Sequence, residues 1–131
     1  MNTRNLASMS ILACAALFTG CALFHPVGMS VPNAGITVTS SQLPGGPYSN
    51  GEIKVIDNNP AYGTQWCPYQ GTQPSNPIWR STATVPGNPG TFVPGSWKVM
   101  LKANQPVNFQ PNPVLVNVVA GYRTRIAVTY P

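Results

Sequence analysis

Two carboxylates, one imidazole and three thiols are the side chains in this 131-residue chain best suited to acid–base, nucleophilic or metal chemistry. Glu52 and Asp57 flank Ile-Lys-Val-Ile with a spacing of five. Side chains on a strand alternate by two, so an odd spacing sends the two acids to opposite faces. That breaks up the carboxylate pair that glycosidic hydrolysis uses. They read as solvated charges at the ends of a strand. His25 sits in a proline-bearing stretch without a fixed cavity, and Cys67 follows Trp66 in a loop, so the two do not form a nucleophile pair. Zinc wants several Cys or His ligands, which are absent. Asp57-Asn58-Asn59 lacks the further acids and closing glutamate of a calcium loop. The residues point to a non-catalytic protein without a cofactor or metal.

The elements that position these residues begin with an address. "MNTRNL" carries Arg4 and no acid, "ASMSILACAALF" is apolar and small, and "TG" precedes Cys21. A charged start, a short apolar run and small residues at its end describe a secretory signal peptide. The run is shorter than the roughly 20 apolar residues of a spanning helix. Phe18-Thr19-Gly20-Cys21 resembles the end of a bacterial lipoprotein signal, with Phe18 where leucine is usual. The resemblance implies cleavage before Cys21, a diacylglycerol on its thiol and acylation of the new amine. Each buried methylene contributes about 0.8 kcal/mol, so two or three chains make release very slow. By analogy with lipoprotein sorting, Ala22 directs the protein to the outer membrane. The expected division is a signal peptide at 1–20, a lipid-anchored tether at 21–35 and a folded domain at 36–131.

Cleavage leaves 111 residues, enough for one domain with a modest core. All 15 prolines and 11 of the 12 glycines lie beyond Gly20, punctuating β-branched runs. Charged residues are only 7%, with Asn, Thr, Ser and Gln supplying the polar surface. These features predict an all-β fold. The net charge of +5 falls to +4 without Arg4. It favours phospholipid headgroups, lipopolysaccharide or an acidic protein. Nucleic acid is not expected, because the chain is exported and its cations are few and dispersed. Cys14 leaves with the signal and Cys21 takes lipid, so Cys67 is left as a buried free thiol.

Strands are expected at 35–40, 52–56, 78–85, 97–103, 113–119 and 122–130, with turns at 42–52 and 86–90. In "WKVMLKA" the residues Trp97, Val99, Leu101 and Ala103 share an inward face. In "YRTRIAVTY" the arginines alternate with Tyr122, Thr124, Ile126, Val128 and Tyr130 and point outward. "PVLVNVV" is a nearly continuous apolar strand, and Ala120-Gly121 is read as the turn of an antiparallel hairpin joining it to the last strand. Residues 57–77 show no strand pattern. The whole fits a small antiparallel β-sandwich of about seven strands.

"STATVPGNPGTFVPGSWKVMLKA" followed by "PVLVNVVAGYRTRIAVTY" resembles the second half of transthyretin-like domains, which include carboxypeptidase regulatory and Cna-B-type modules. A Pro-Gly turn leads into an aromatic-x-Val strand, and a "V-x-V-x-x-G" strand and a last alternating strand follow. The resemblance covers residues 94–130 and implies a transthyretin-like or immunoglobulin-like sandwich. The Gly-rich entry strands of that group are missing from the first half.

Two features carry binding. Tyr62, Trp66 and Tyr69 lie in the long 57–77 loop, where aromatics anchor protein contacts or stack on sugars. Trp66 equally folds back as a lid on the core, since a long loop must bury something to stay ordered. The second feature is a basic face of Lys98, Lys102, Arg123 and Arg125, if their strands share one sheet; ordinary solubilising charge is its other reading. The expected function is a structural subunit or binding module of a cell-envelope assembly. A carbohydrate- or peptidoglycan-binding surface lipoprotein and a small exclusion or inhibitor lipoprotein are the alternatives.

Overall fold

The computed structural model describes residues 30–82 and 91–131. The signal, Cys21, His25, most of the tether and the 86–90 turn lie outside the described residues. One compact unit spans Pro32–Pro131. Its strands are β1 (Asn33–Gln42), β2 (Glu52–Asp57), β3 (Gln65–Tyr69), β4 (Arg80–Ser81), β5 (Gly95–Lys102), β6 (Asn108–Gln110), β7 (Val114–Val118) and β8 (Tyr122–Thr129), with a 3-10 turn at Pro60–Tyr62. β1 takes in Asn33–Gly35, which the sequence assigned to the tether.

The strands form two four-stranded sheets, a small β-sandwich. The first has the order β2-β8-β1-β6 and the second β4-β3-β5-β7. The second is antiparallel throughout, whereas in the first β1–β6 and β2–β8 are parallel. Alternation decides the core. Val99 and Leu101 of β5, Val114, Val116 and Val118 of β7, and Ile126 and Val128 of β8 meet Ile53 and Val55 of β2 between the sheets. Trp97 is half-buried against this cluster rather than within it, its indole N–H donating to Val93 C=O at 2.9 Å.

The expected hairpin of residues 113–119 and 122–130 does not form. β7 pairs with β5 in the second sheet and β8 lies between β2 and β1 in the first. The turn itself is present, with Tyr122 N–H donating to Val119 C=O at 3.1 Å and Gly121 at φ 79°. It carries the chain across the sandwich. The reason lies in β8, which has apolar residues to bury and two edges to satisfy, so a central position between two partners suits it better than a ribbon with β7. Close approach at this corner demands Gly51, where a Cβ would stand 2.5 Å from Val119 C=O.

The 57–77 region also departs from expectation, since Gln65–Tyr69 is strand β3, paired with Met100 and its neighbours. Pro68 hid it, because proline removes a ladder donor. β4 reaches only Gln65 and Trp66, which leaves an open edge beside Pro68 where no donor is needed. The strand expected at 78–85 is reduced to Arg80–Ser81 within the described residues.

Candidate functional site

Each residue singled out for binding can now be placed on a face of the sandwich. Trp66 points inward at 8% exposure, packed with Phe92 and covered by the Arg80 guanidinium 5.1 Å from its ring. It is core, not a loop anchor. Tyr62 ends the 3-10 turn and stacks on Tyr130, centroids 3.9 Å apart and rings 5° from parallel. Tyr130 shares a 2.5 Å hydrogen bond with the Thr64 hydroxyl. Burial pushes the Tyr130 phenol above its ordinary value, the Thr64 bond draws it back, and the charge of Asp57 and then Tyr62 add to the rise. Of the three aromatics only Tyr69 lines the outer side of β3.

The four cations do not form one face. Lys98 and Lys102 belong to β5 in the second sheet, Arg123 and Arg125 to β8 in the first. Arg123 is also not free: its Nε donates to Glu52 Oε1 at 2.9 Å, and Glu52 is only 3% exposed. Glu52 is thus a buried, paired carboxylate, correcting its reading as a solvated end charge. Glu52 sits opposite Arg123 on the outward side of β2, while Asp57, in step with buried Ile53 and Val55, is on the inward side. The two acids therefore stay apart. Asp57 Oδ2 is buried without a hydrogen-bond partner among the described residues.

The second sheet's outer face brings together residues from both expected sites. In register, Tyr69 of β3 lies beside Lys98 of β5, and Lys98 beside Leu115 of β7. One step along, Ser96 lies beside Asn117. Gln70 continues the row past Tyr69, its side-chain amide donating to Ser96 C=O at 3.1 Å. Together these residues line an open groove of about 580 Å³. Tyr69 forms one wall and Leu115, 69% exposed, the other; Lys98 rises between them with Nζ 6.0 Å from the Tyr69 ring. Further along this face Lys102 Nζ stands 4.5 Å over the Trp79 ring. Cys67 and Met100, opposite each other in register, are buried on the same side, which makes this outer face partly apolar. Cys67 is a buried free thiol.

Leu115, Asn117, Gln70 and Ser96 were not singled out from the sequence. The signal was present in "VLVNV", where strict alternation separates inward Val114, Val116 and Val118 from outward Leu115 and Asn117. Reading the run as uniformly apolar concealed it. The groove's lining includes two aromatic residues, two aliphatic ones, two amides, the Ser96 hydroxyl and the Lys98 ammonium, and contains no carboxylate, imidazole or thiol. That combination can hold a ligand by stacking and hydrogen bonding. No protein-family model, curated protein or solved structure matches this chain.

Proposed function

We propose that this chain is a non-catalytic binding module of the bacterial outer membrane, anchored by lipid on Cys21, which holds an envelope component on the outer face of its second sheet. The observation that carries the reading is the groove between Tyr69 and Leu115. Ile78 is more exposed than Leu115, but Leu115 stands in a groove opposite an aromatic wall, a setting that a bound ligand would cover. The lipoprotein-like end of the signal supports the anchor, and the sequence motifs within 94–130 support a likeness to transthyretin-like modules.

Between a protein subunit of an envelope assembly and a glycan, the groove's polar content favours the glycan as a second reading. Gln70, Asn117 and Ser96 surround Tyr69 with donors and acceptors matched to hydroxyl-rich ligands, and Lys98 adds a cation for acidic sugars. Retention of the full chain on isolated sacculi and on detergent-extracted envelope protein separates the two. Tyr69→Ala should lose retention on whichever is the ligand while the thermal midpoint stays within the range of a surface change, about 0.5 kcal/mol. Unchanged retention on both would remove the groove from the account.

A further inference from the structure

Both acids of the chain lie on one strand. Glu52 and Asp57 begin and end β2, in the first sheet, so the second sheet has no acidic side chain. It has three cations, Arg80 on β4 and Lys98 and Lys102 on β5. Arg80 lies over the rings of Trp66 and Phe92 at the edge of the core. Lys98 and Lys102 share the outward side of β5, and both are exposed. Among the described residues neither has an ion pair. The outer face of the second sheet is therefore cationic with no acid of its own to offset it.

The two lysines are set up alike. Lys98 Nζ lies 6.0 Å from the Tyr69 ring, and Lys102 Nζ lies 4.5 Å from the Trp79 ring. A ring occupies one side of an ammonium and leaves N–H donors for a ligand. Four residues of strand, at about 3.4 Å each, put the two cations about 14 Å apart along β5. Between them Met100 and Cys67 are buried and bring no charge. Lys98 lines the groove with Gln70, Ser96 and Asn117, and Lys102 lies beyond its lining. A ligand confined to the groove meets one cation, and one that runs on along β5 meets both.

We infer that the ligand is a carboxylated polysaccharide laid along β5, with one carboxylate at Lys98 and another at Lys102. The inference rests on the proposed function, which makes the groove the binding site, and names what the site takes. Gln70, Ser96 and Asn117 suit sugar hydroxyls, and the distance between the two cations calls for a chain rather than a single small acid. Each cation carries one charge, the equal of one carboxylate. A phosphate monoester carries about −1.5 to −2 and would find no second ammonium beside the first. Exposed ion pairs are individually weak. Two on one chain reinforce each other, because the second forms within a complex that the first already holds.

Dissociation constants of the full-length protein in neutral detergent, measured for polygalacturonate and for its uncharged methyl ester, test this. Polygalacturonate should bind, and more weakly as salt is raised. Lys98→Gln should weaken it about fivefold and Lys102→Gln about twofold, and the ester should bind about tenfold more weakly, the product of the two. Lys98→Arg should restore binding, and Arg125→Gln on the first sheet should leave it unchanged. All four substitutions alter exposed side chains, so thermal midpoints should barely move. No binding of polygalacturonate, equal binding of the ester, or equal losses from Arg125→Gln and Lys98→Gln would each overturn the inference. Tyr69→Ala separates it from the reading beneath it. If Tyr69→Ala loses the envelope fraction while ester and acid bind alike, the groove stands and the carboxylated ligand falls. If polygalacturonate binds equally well to Tyr69→Ala and Lys98→Gln as to the unaltered chain, both fall.

Discussion

The two sheets contribute four strands each, yet their outer faces have opposite character. The first sheet's outer face carries the Glu52–Arg123 ion pair, then Lys54 beside Arg125 beside Thr39 in register. Glu52 is paired with Arg123 there, and Lys54 and Arg125 are cationic neighbours on a polar surface. The second sheet's outer face carries Tyr69, Leu115, Met100 and Cys67, with cations laid over aromatic rings and an open groove between strands. A sandwich needs only one face of each sheet for its core. The remaining faces are free to differ, and the proposed function assigns binding to the face that is less well matched to water.

β3 holds both sides of the comparison within a few residues, so its substitutions should test it most strongly. Trp66→Ala empties a site in the core and should cost about 3–5 kcal/mol, enough to unfold a marginal domain. Thermal or urea unfolding would show it. A stable Trp66→Ala protein that has lost only binding would return Trp66 to the ligand and break the division between inside and outside.

Next in size is Arg123→Gln, which strands a buried carboxylate. Truncating one partner of a fully buried pair costs about 3–5 kcal/mol. Arg123 is itself 29% exposed, so the loss should be smaller, on the order of 1–3 kcal/mol. Arg123→Gln together with Glu52→Gln should recover much of it. A double variant no more stable than the single one would mean that the first face is not organised by this pair.

The smallest stability effect concerns Tyr130, at the end of the core beneath Tyr62. Its phenol titrates above its ordinary value, so the folded state holds the proton more tightly than the unfolded chain. The stability this supplies is complete below about pH 10 and is lost as pH rises through the folded-state value. Tyr130→Phe should flatten that alkaline decline while costing about 1 kcal/mol at neutral pH for the lost Thr64 bond. Unfolding midpoints from pH 8 to 11 would follow it, and an unchanged alkaline slope would show that Tyr130 does not govern the decline.

Much of this architecture could be read from the chain. Alternation in 97–103 and 122–130 places Val99, Leu101, Ile126 and Val128 inward, and the density of Pro and Gly between β-branched runs gives an all-β sandwich. Pairing was less legible. A tight turn such as Ala120-Gly121 is written locally, but whether it closes a hairpin or crosses between sheets depends on which distant strands compete for β8. The same limit divided the basic set, because alternation says that Lys98 and Arg125 point outward but not from which sheet. β3 was obscured by Pro68, a residue whose tolerance depends on how short its neighbour β4 is. The groove was half visible: Tyr69 and Lys98 were named for separate reasons, and only the β3–β5–β7 register shows that they are neighbours.

The central claim is that binding belongs to the second sheet's outer face. It is tested most directly by placing one carboxylate on each outer face and comparing retention on envelope fractions. Leu115→Glu alters an exposed side chain on the groove wall, and Arg125→Glu an exposed one on the first sheet. Both proteins should fold with nearly unchanged thermal midpoints. Leu115→Glu should abolish retention and Arg125→Glu should preserve it. Retention that survives Leu115→Glu but fails with Arg125→Glu would contradict the account and move the binding face to the first sheet.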